Sequence, residues 1–303
     1  MHFKYNIHFD FMKHSKKFML FSIIVTLLGV VFLSTEGLNR GVDFKAGTTL
    51  DINAGKTIEQ AKAKEIITAA GLPTGIITPG GERVSIRFDK VLSQDEVTKI
   101  KQGFVTTYGS KVSLEENTVD TSLAQELATK AIYVVLIASV FIMIYVAIRF
   151  EWRYAIAAIV ALLHDVFFVI SIFSIFHLEV NLTFVAAILT IVGYSINDTI
   201  VIFDRIRENM RFAKIKTYDD LKHVVNVSVS QTFTRSINTV LTVLVGATLL
   251  FIQGGQSIHL FSLAMMIGLL CGAYSSILIA SPLWAMMKKN SLNKGRKAAV
   301  AKS

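Results

Sequence analysis

A chain of 303 residues that is 52% hydrophobic, 17% charged and carries only 3 prolines does not have the balance of a soluble globular domain. Its net charge of +9 suits either nucleic acid or an anionic membrane surface, and the placement of that charge decides between them below. The one cysteine, Cys271, sits in an apolar run, which excludes a disulfide framework and a zinc cluster built on cysteines.

In chain order, the first 17 residues end in a basic group, Lys13, Lys16 and Lys17, and lead into an apolar run from Phe18 to Ser34. No clear small-x-small cleavage site follows it and more spans come later, so it is expected to be a retained anchor and not a signal peptide. The polar stretch 35–130 alternates strand and helix signals. "TTLDINA" predicts a strand. "TIEQAKAKEIITAAG" predicts a helix opened by a Thr57–Gln60 capping box and closed at Gly71. "GIITP", the turn "PGG" and "RVSIRF" follow as two strands and their connection. "SQDEVTKIKQGFVTTYG" repeats the helix signature with Ser93, Glu96 and Gly109, and "KVSLEE" is a last strand. The order β-α-β-β-α-β predicts a ferredoxin-like domain. From Glu36 to Glu126 it holds 11 basic and 13 acidic side chains, with no paired catalytic acids and no metal-ligand spacing, so a binding or mechanical role is expected.

Five more runs approach or exceed the ~20 residues that span a bilayer: Ala131–Phe150, Tyr154–Phe176, Leu182–Phe203, Ser236–Phe251 and Leu260–Met287. The fold class is therefore a polytopic α-helical membrane protein of six spans with an extracytoplasmic domain between the first two. The bundle 131–287 is expected to carry a cytoplasmic loop at 204–235, and 288–303 to form a basic cytoplasmic tail. With both termini in the cytoplasm, that side receives 19 Lys/Arg, while the short loops His177–Asn181 and Gln253–His259 hold none. This matches the positive-inside rule. It places the positive charge against anionic lipid and makes nucleic-acid binding unnecessary.

Packed faces in lipid show small and polar residues. Ala186, Thr190, Gly193 and Asn197 form such a stripe on the fourth span. Thr232, Arg235, Asn238 or Thr239, Thr242 and Gly246 form one on the fifth. On the sixth, Ala264, Gly268, Gly272 and Ser276 repeat every four residues, which ordinary packing explains. The other two stripes each carry an ionisable group. Asp198 lies six residues before Asp204, about 9 Å of depth, and Arg235 is expected at a similar depth. A charge at the centre of a membrane helix costs about 2.5–3.5 kcal/mol, which an Asp–Arg pair on neighbouring helices relieves. Asp198 then becomes a candidate ion carrier and Arg235 its counter-ion, against the alternative of a static pair that locks two helices. Asp165, preceded by His164, is either a second relay group or a hydrogen-bonded strut. His177, Glu179 and His259 are expected to be solvated. Asp204, Arg205, Arg207 and Glu208 are expected to anchor the end of the fourth span.

"GVDFKAGT", "FEWRYAIAAIVALLHDV", "VGYSINDTIVIFDRIREN" and "RSINTVLTVL" together resemble the SecF branch of the SecD/SecF protein-export family, within the resistance–nodulation–division superfamily. The likeness covers nearly the whole chain. One departure is Ala46, where the family usually has the first glycine of a pair. The resemblance implies a subunit of the Sec machinery that uses a proton or sodium motive force, with no other cofactor and no enzymatic step, to complete export of polypeptides across the cytoplasmic membrane. It implies SecD as an obligate partner and SecYEG, YajC and YidC as further partners, with a translocating polypeptide as client. The family's membrane acid maps onto Asp198 and its arginine onto Arg235, flanked by Asn197, Asn238 and Thr239. Gly41, Asp43, Phe44 and Gly47 fall in its motif loop. A proton-driven exporter of small molecules and a passive scaffold of the translocase are the alternative functions.

Overall fold

The computed structural model describes residues 9–289. Most of the expected basic tail and the start of the amino terminus lie outside the described residues. Six described helices are long and apolar enough to cross a membrane.

The first, α1 (Phe11–Thr35), begins at an Asp10 cap that accepts from the Lys13 N–H. After it come the two-residue strand β1 (Asn39–Arg40) and the single turn α2 (Val42–Lys45). The polar region then folds as β2 (Gly47–Asn53), α3 (Gln60–Ala69), β3 (Ile76–Gly80), β4 (Arg83–Phe88), α4 (Gln94–Tyr108) and β5 (Ser113–Val119). Its sheet has the order β3-β4-β2-β5, with every pairing antiparallel. Alternation sends Leu50, Ile52, Val84, Ile86 and Phe88 to one face, where they pack with Ile67 of α3 and Ile100 and Phe104 of α4.

The two helix-entry signals fared differently. Ser93 and Glu96 form the reciprocal capping box at α4. The Thr57–Gln60 box does not form: α3 starts at Gln60, and its cap residue Glu59 makes no side-chain bond. Ile58 is buried and donates its N–H to the Gly81 carbonyl, which holds the chain extended where a cap would have to turn. Both expected glycine stops hold, Gly71 and Gly109 having φ of +80° and +98°.

Helix α5 (Thr121–Arg149) starts directly after β5, from an Asp120 cap. It is followed by α6 (Trp152–Ile175), the short strand β6 (Glu179–Val180), α7 (Leu182–Phe212), α8 (Tyr218–Gln253) and α9 (Gln256–Ser275). A π-helical turn at Ser276–Ala280 continues α9, and the apolar helix runs on to Lys289. The expected loop at 204–235 is a correction. Residues up to 212 and from 218 are helical, and only 213–217 connect them. Apolarity marks the bilayer and not the helix end. A Thr217–Asp220 capping box starts α8 in polar sequence.

The bundle has two cores. One gathers Tyr154, Phe203 and Trp284 at the end away from the sheet domain, where the Tyr154 and Trp284 rings stack at 4.6 Å. The other gathers Phe173, Phe184, Ile191 and Leu269 at the near end. The α9 stripe packs as expected, since a Cβ on Gly268 would meet Ile191 and one on Gly272 would lie 3.2 Å from Ser195. The loops at 177–181 and 254–255 both touch the sheet domain, so they share its side of the bundle, called outer here.

Candidate functional site

Helices α7 and α8 pack side by side, and Asp198 lies in their seam. Its Oδ1 accepts a hydrogen bond from Ser236 Oγ, whose residue is 1% exposed. Its Oδ2 is buried and has no hydrogen-bond partner among the described residues. The expected direct pair with Arg235 is replaced by the Ser236 bond. The Arg235 side chain is exposed and lines an open cavity of ≈ 550 Å³ with Gln231, Thr234, Asn238, Thr239 and Thr242. One residue of helix rotation separates Arg235 from Ser236, and it puts the hydroxyl in the seam and the guanidinium on the outside.

Most of each stripe on α7 and α8 does not face the bundle, Thr232 being buried and Thr190 and Thr239 half-buried. Ala186, Gly193 and Asn197 are exposed, as are Arg235, Asn238, Thr242 and Gly246, and a Cβ on Gly193 or Gly246 would meet nothing within 4 Å. A polar face on membrane-grade helices is unfavourable against lipid, so this is a surface suited to another set of helices.

Asp165 is 1% exposed and fully engaged. Oδ2 accepts from Ser195 Oγ of α7 at 2.5 Å and Ser275 Oγ of α9 at 2.8 Å. Oδ1 lies 2.9 Å from His164 Nδ1 and accepts from Cys271 Sγ at 3.3 Å. His164 Nε2 is 3.3 Å from the Tyr274 hydroxyl, which is 3.1 Å from Ser22 Oγ of α1. The network thus joins four helices. The π-helical turn directly after Ser275 turns Ser276 toward α7, where its hydroxyl is 2.8 Å from that of Thr199.

At the outer end, the motif loop docks on the start of α7. Gly41 donates its N–H to the Val180 carbonyl, and a Cβ there would run into the Glu179 carboxylate. Asp43 accepts from the Leu182 N–H, in the first turn of α7, at 2.9 Å. Phe44 packs into the outer core. Gly47 has φ +137°, and a Cβ would collide with the Phe88 carbonyl. The expectation of a solvated Glu179 is corrected: it pairs with the buried Arg87 at 3.3 Å. Burial pushes its carboxyl above the ordinary range, Arg87 pulls it down, and Asp43 and Asp51 push it up. At the opposite end Asp204 is bound by Arg149 of α5 and Arg207, an anchor that the sequence anticipates in part.

Ser236, Arg87 and the donors Ser195, Ser275 and Cys271 around Asp165 were missed by sequence reasoning, while the adjacent His164 was anticipated. Only Ser236 had a local signal, as the neighbour of Arg235. The rest meet across elements far apart in sequence.

The fold and these polar sites define a polytopic helical membrane protein with a sheet domain docked on one end of its bundle. The profile of the family "Protein export membrane protein SecD/SecF, C-terminal" matches residues 99–290. The chain is 44% identical to protein translocase subunit SecF of Alicyclobacillus acidocaldarius, over 96% of this chain and 97% of that one. It is 45% identical to protein translocase subunit SecDF of Bacillus subtilis over 94% of its length, but spans only 39% of that protein. The crystal structure of SecDF from Thermus thermophilus superposes with a TM-score of 0.83 at 31% identity, covering 95% of this chain and 40% of that one. The chain belongs to the SecD/SecF family of protein-export membrane proteins, on its SecF side.

Proposed function

We propose that this chain is the ion-coupled half of a Sec translocase accessory complex. It pairs with SecD through the open polar face of α7 and α8 and uses a proton or sodium gradient to drive late steps of polypeptide export. The single observation that carries the reading is the Asp198 carboxylate: buried in a helix seam, held at one oxygen, free at the other, and beside an exposed arginine. Free and buried, Oδ2 is the atom suited to take an ion or proton. Arg235, Asn238 and Thr239 line the open cavity on α8, Asn197 is exposed on α7 next to Asp198, and the partner bundle closes the approach. The chain spans about 39% of the fused relative, which supports SecD supplying the other wall.

The strand order β3-β4-β2-β5 supports reading the outer domain as ferredoxin-like, with a mechanical role on the far side of the cytoplasmic membrane. The Lys/Arg excess at the other end of the bundle supports cytoplasmic termini in contact with anionic lipid. SecYEG, YajC and YidC are the expected neighbours. The role is transport and not catalysis, with H⁺ or Na⁺ as the only coupling species. Asp165 and His164 act as a brace and not as a second relay, because Asp165 Oδ2 faces Ser195 and Ser275 while Oδ1 faces Cys271 and the adjacent His164.

One elementary charge moving through the membrane field is worth about 2.3 kcal/mol per 100 mV, enough to shift a two-state equilibrium more than tenfold. The test is Asp198→Asn in vesicles with the SecD partner. Loss of ion-driven export is expected; unchanged export rejects the relay. A passive scaffold would tolerate Asp198→Asn combined with Arg235→Gln, and a small-molecule exporter would show efflux without export.

A further inference from the structure

We infer that Arg87 is the positioning residue that makes the outer sheet domain and the outer end of α7 move as one body. The inference rests on the ion-coupled reading above and adds how displacement at the seam reaches the domain.

Arg87 stands on the sheet face opposite the domain's helices and is 5% exposed. Its Nη2 donates to Asn39 Oδ1 at 3.1 Å, and its Nη1 to the Arg40 carbonyl and to Glu179 Oε2, both at 3.3 Å. These acceptors lie on β1 and β6, which pair in parallel through Asn39–Glu179 and Arg40–Val180. One guanidinium therefore holds the strand that leaves α1 and the strand that enters α7. Asp43 adds a second tie, accepting from the Leu182 N–H and, at 3.3 Å, from Asn117 on β5. The cap residue Asn181 begins an unbroken helix, and Asp198 lies about 25 Å along it at 1.5 Å per residue.

A second foothold completes the device. Arg83 donates to the Gly254 carbonyl, in the α8–α9 connection, at 2.6 Å. Arg83 and Arg87 share one face of β4, about 13 Å apart. The same strand thus stands on α7 at one point and on the end of α8 at the other. Those two helices meet at the Asp198–Ser236 seam. A slide of α7 against α8 by about 1 Å would tilt β4 by roughly 4°, given the strand rise. The planar guanidinium serves several acceptors at once, which a lysine ammonium on a flexible stem does not reproduce.

The experiment uses the full chain in complex with SecD in vesicles, comparing Arg87→Gln, Arg87→Lys and Glu179→Gln with the parent. Spin labels at Lys101 on α4 and Phe176 at the outer end of α6 report the domain–bundle distance. The expected result is a narrow distribution in the parent that broadens in all three variants. Ion flux should stay within about twofold of the parent while ion-driven export falls at least tenfold for Arg87→Gln. The paired reversal Arg87→Glu with Glu179→Arg should recover part of the export. An unchanged distance distribution, or full export by Arg87→Gln, overturns the inference. Asp198→Asn run alongside separates the two ideas: if it leaves export unchanged, the relay reading fails, whereas the distance measurement still tests the joint.

Discussion

Asp198 on α7 is bonded to Ser236 on α8, while Arg235, one residue earlier, lies exposed outside the seam. The site is therefore asymmetric. One carboxylate oxygen is spoken for inside the bundle and the other has no partner among the described residues. A helix pair locked by a static ion pair would show the reverse, with the guanidinium on the carboxylate.

The Ser236 hydroxyl orients Asp198, and a hydrogen bond to a charged group contributes about 1.5–3 kcal/mol. Ser236→Ala leaves Asp198 Oδ1 without its donor, a cost of about 1–3 kcal/mol, and should lower ion flux in the SecD complex by about tenfold. Ser236→Thr should retain most of it. Equal flux in parent and Ser236→Ala would show that the bond does not position the acid.

Asp165 predicts a structural phenotype. Removing the acceptor of a buried network costs about 1–3 kcal/mol for each donor left unsatisfied, and Asp165 is the acceptor facing Ser195, Cys271 and His164, while Ser275 keeps a bond to the Gly272 carbonyl. Asp165→Ala should sharply lower the unfolding temperature in detergent. Asp165→Asn, which keeps one acceptor oxygen, should lose less stability and retain ion flux. A stable Asp165→Asn without flux would instead make it a second relay.

Ala46 occupies φ +67°, ψ 155°, a region of the backbone map that glycine alone adopts comfortably, and such strain costs about 1–3 kcal/mol. The sequence marked this position only as a departure from the family's glycine pair. Ala46→Gly should raise the stability of the outer domain by about 1 kcal/mol after the extra unfolded-state freedom of glycine is set against it. Thermal unfolding of the full chain in detergent, followed at an outer-domain probe, would check it.

Glu96 predicts a pH dependence. Its bonds to Lys90 and to the Ser93 backbone lower its carboxyl to about 2. A carboxyl depressed on folding contributes stability that is fully present above its unfolded pKa, near 4.3, and lost as pH falls through about 2. Glu96→Gln should therefore unfold at a lower temperature than the parent at neutral pH. The two curves should converge as the pH drops from about 4.5 to 2. A gap that persists at the acid end would mean that the charge is not its source.

Much of the molecule was legible because periodicity and caps are local. The strand order, the Ser93–Glu96 box and the six apolar runs each sit in one window of sequence. So did the acid on the fourth span, since a carboxylate in apolar sequence needs explaining wherever it falls. The exits of α7 and α8 were not legible: lipid writes apolarity into a helix, but water allows it to continue past the interface in polar residues such as Asp204–Phe212. Nor was the joint of Arg87 with Glu179, because the two are separated by 92 residues and four elements and carry no pattern between them. Arg235 illustrates the limit. Depth along a helix was readable, but whether the 235 or the 236 side chain enters the seam depends on a rotation of 100°, which packing alone decides.

The open face of α7 and α8 gives a last prediction with an internal control. Gly246 and Gly268 are both helical glycines on small-residue stripes of apolar spans. Around Gly246 a Cβ would meet nothing within 4 Å, whereas on Gly268 it would overlap Ile191 of the neighbouring helix. Small residues in lipid allow close approach of another backbone, so the space at Gly246 would admit a partner helix, whereas that at Gly268 is filled by the chain itself. Gly246→Leu should leave the unfolding of the isolated chain unchanged but weaken co-purification with SecD at least tenfold. Gly268→Leu should destabilise the isolated chain by about 1–3 kcal/mol through overpacking, before any partner is added. If Gly246→Leu associates with SecD as the parent does, this face is turned to lipid, and its exposed Arg235 and Asn238 would need a different account.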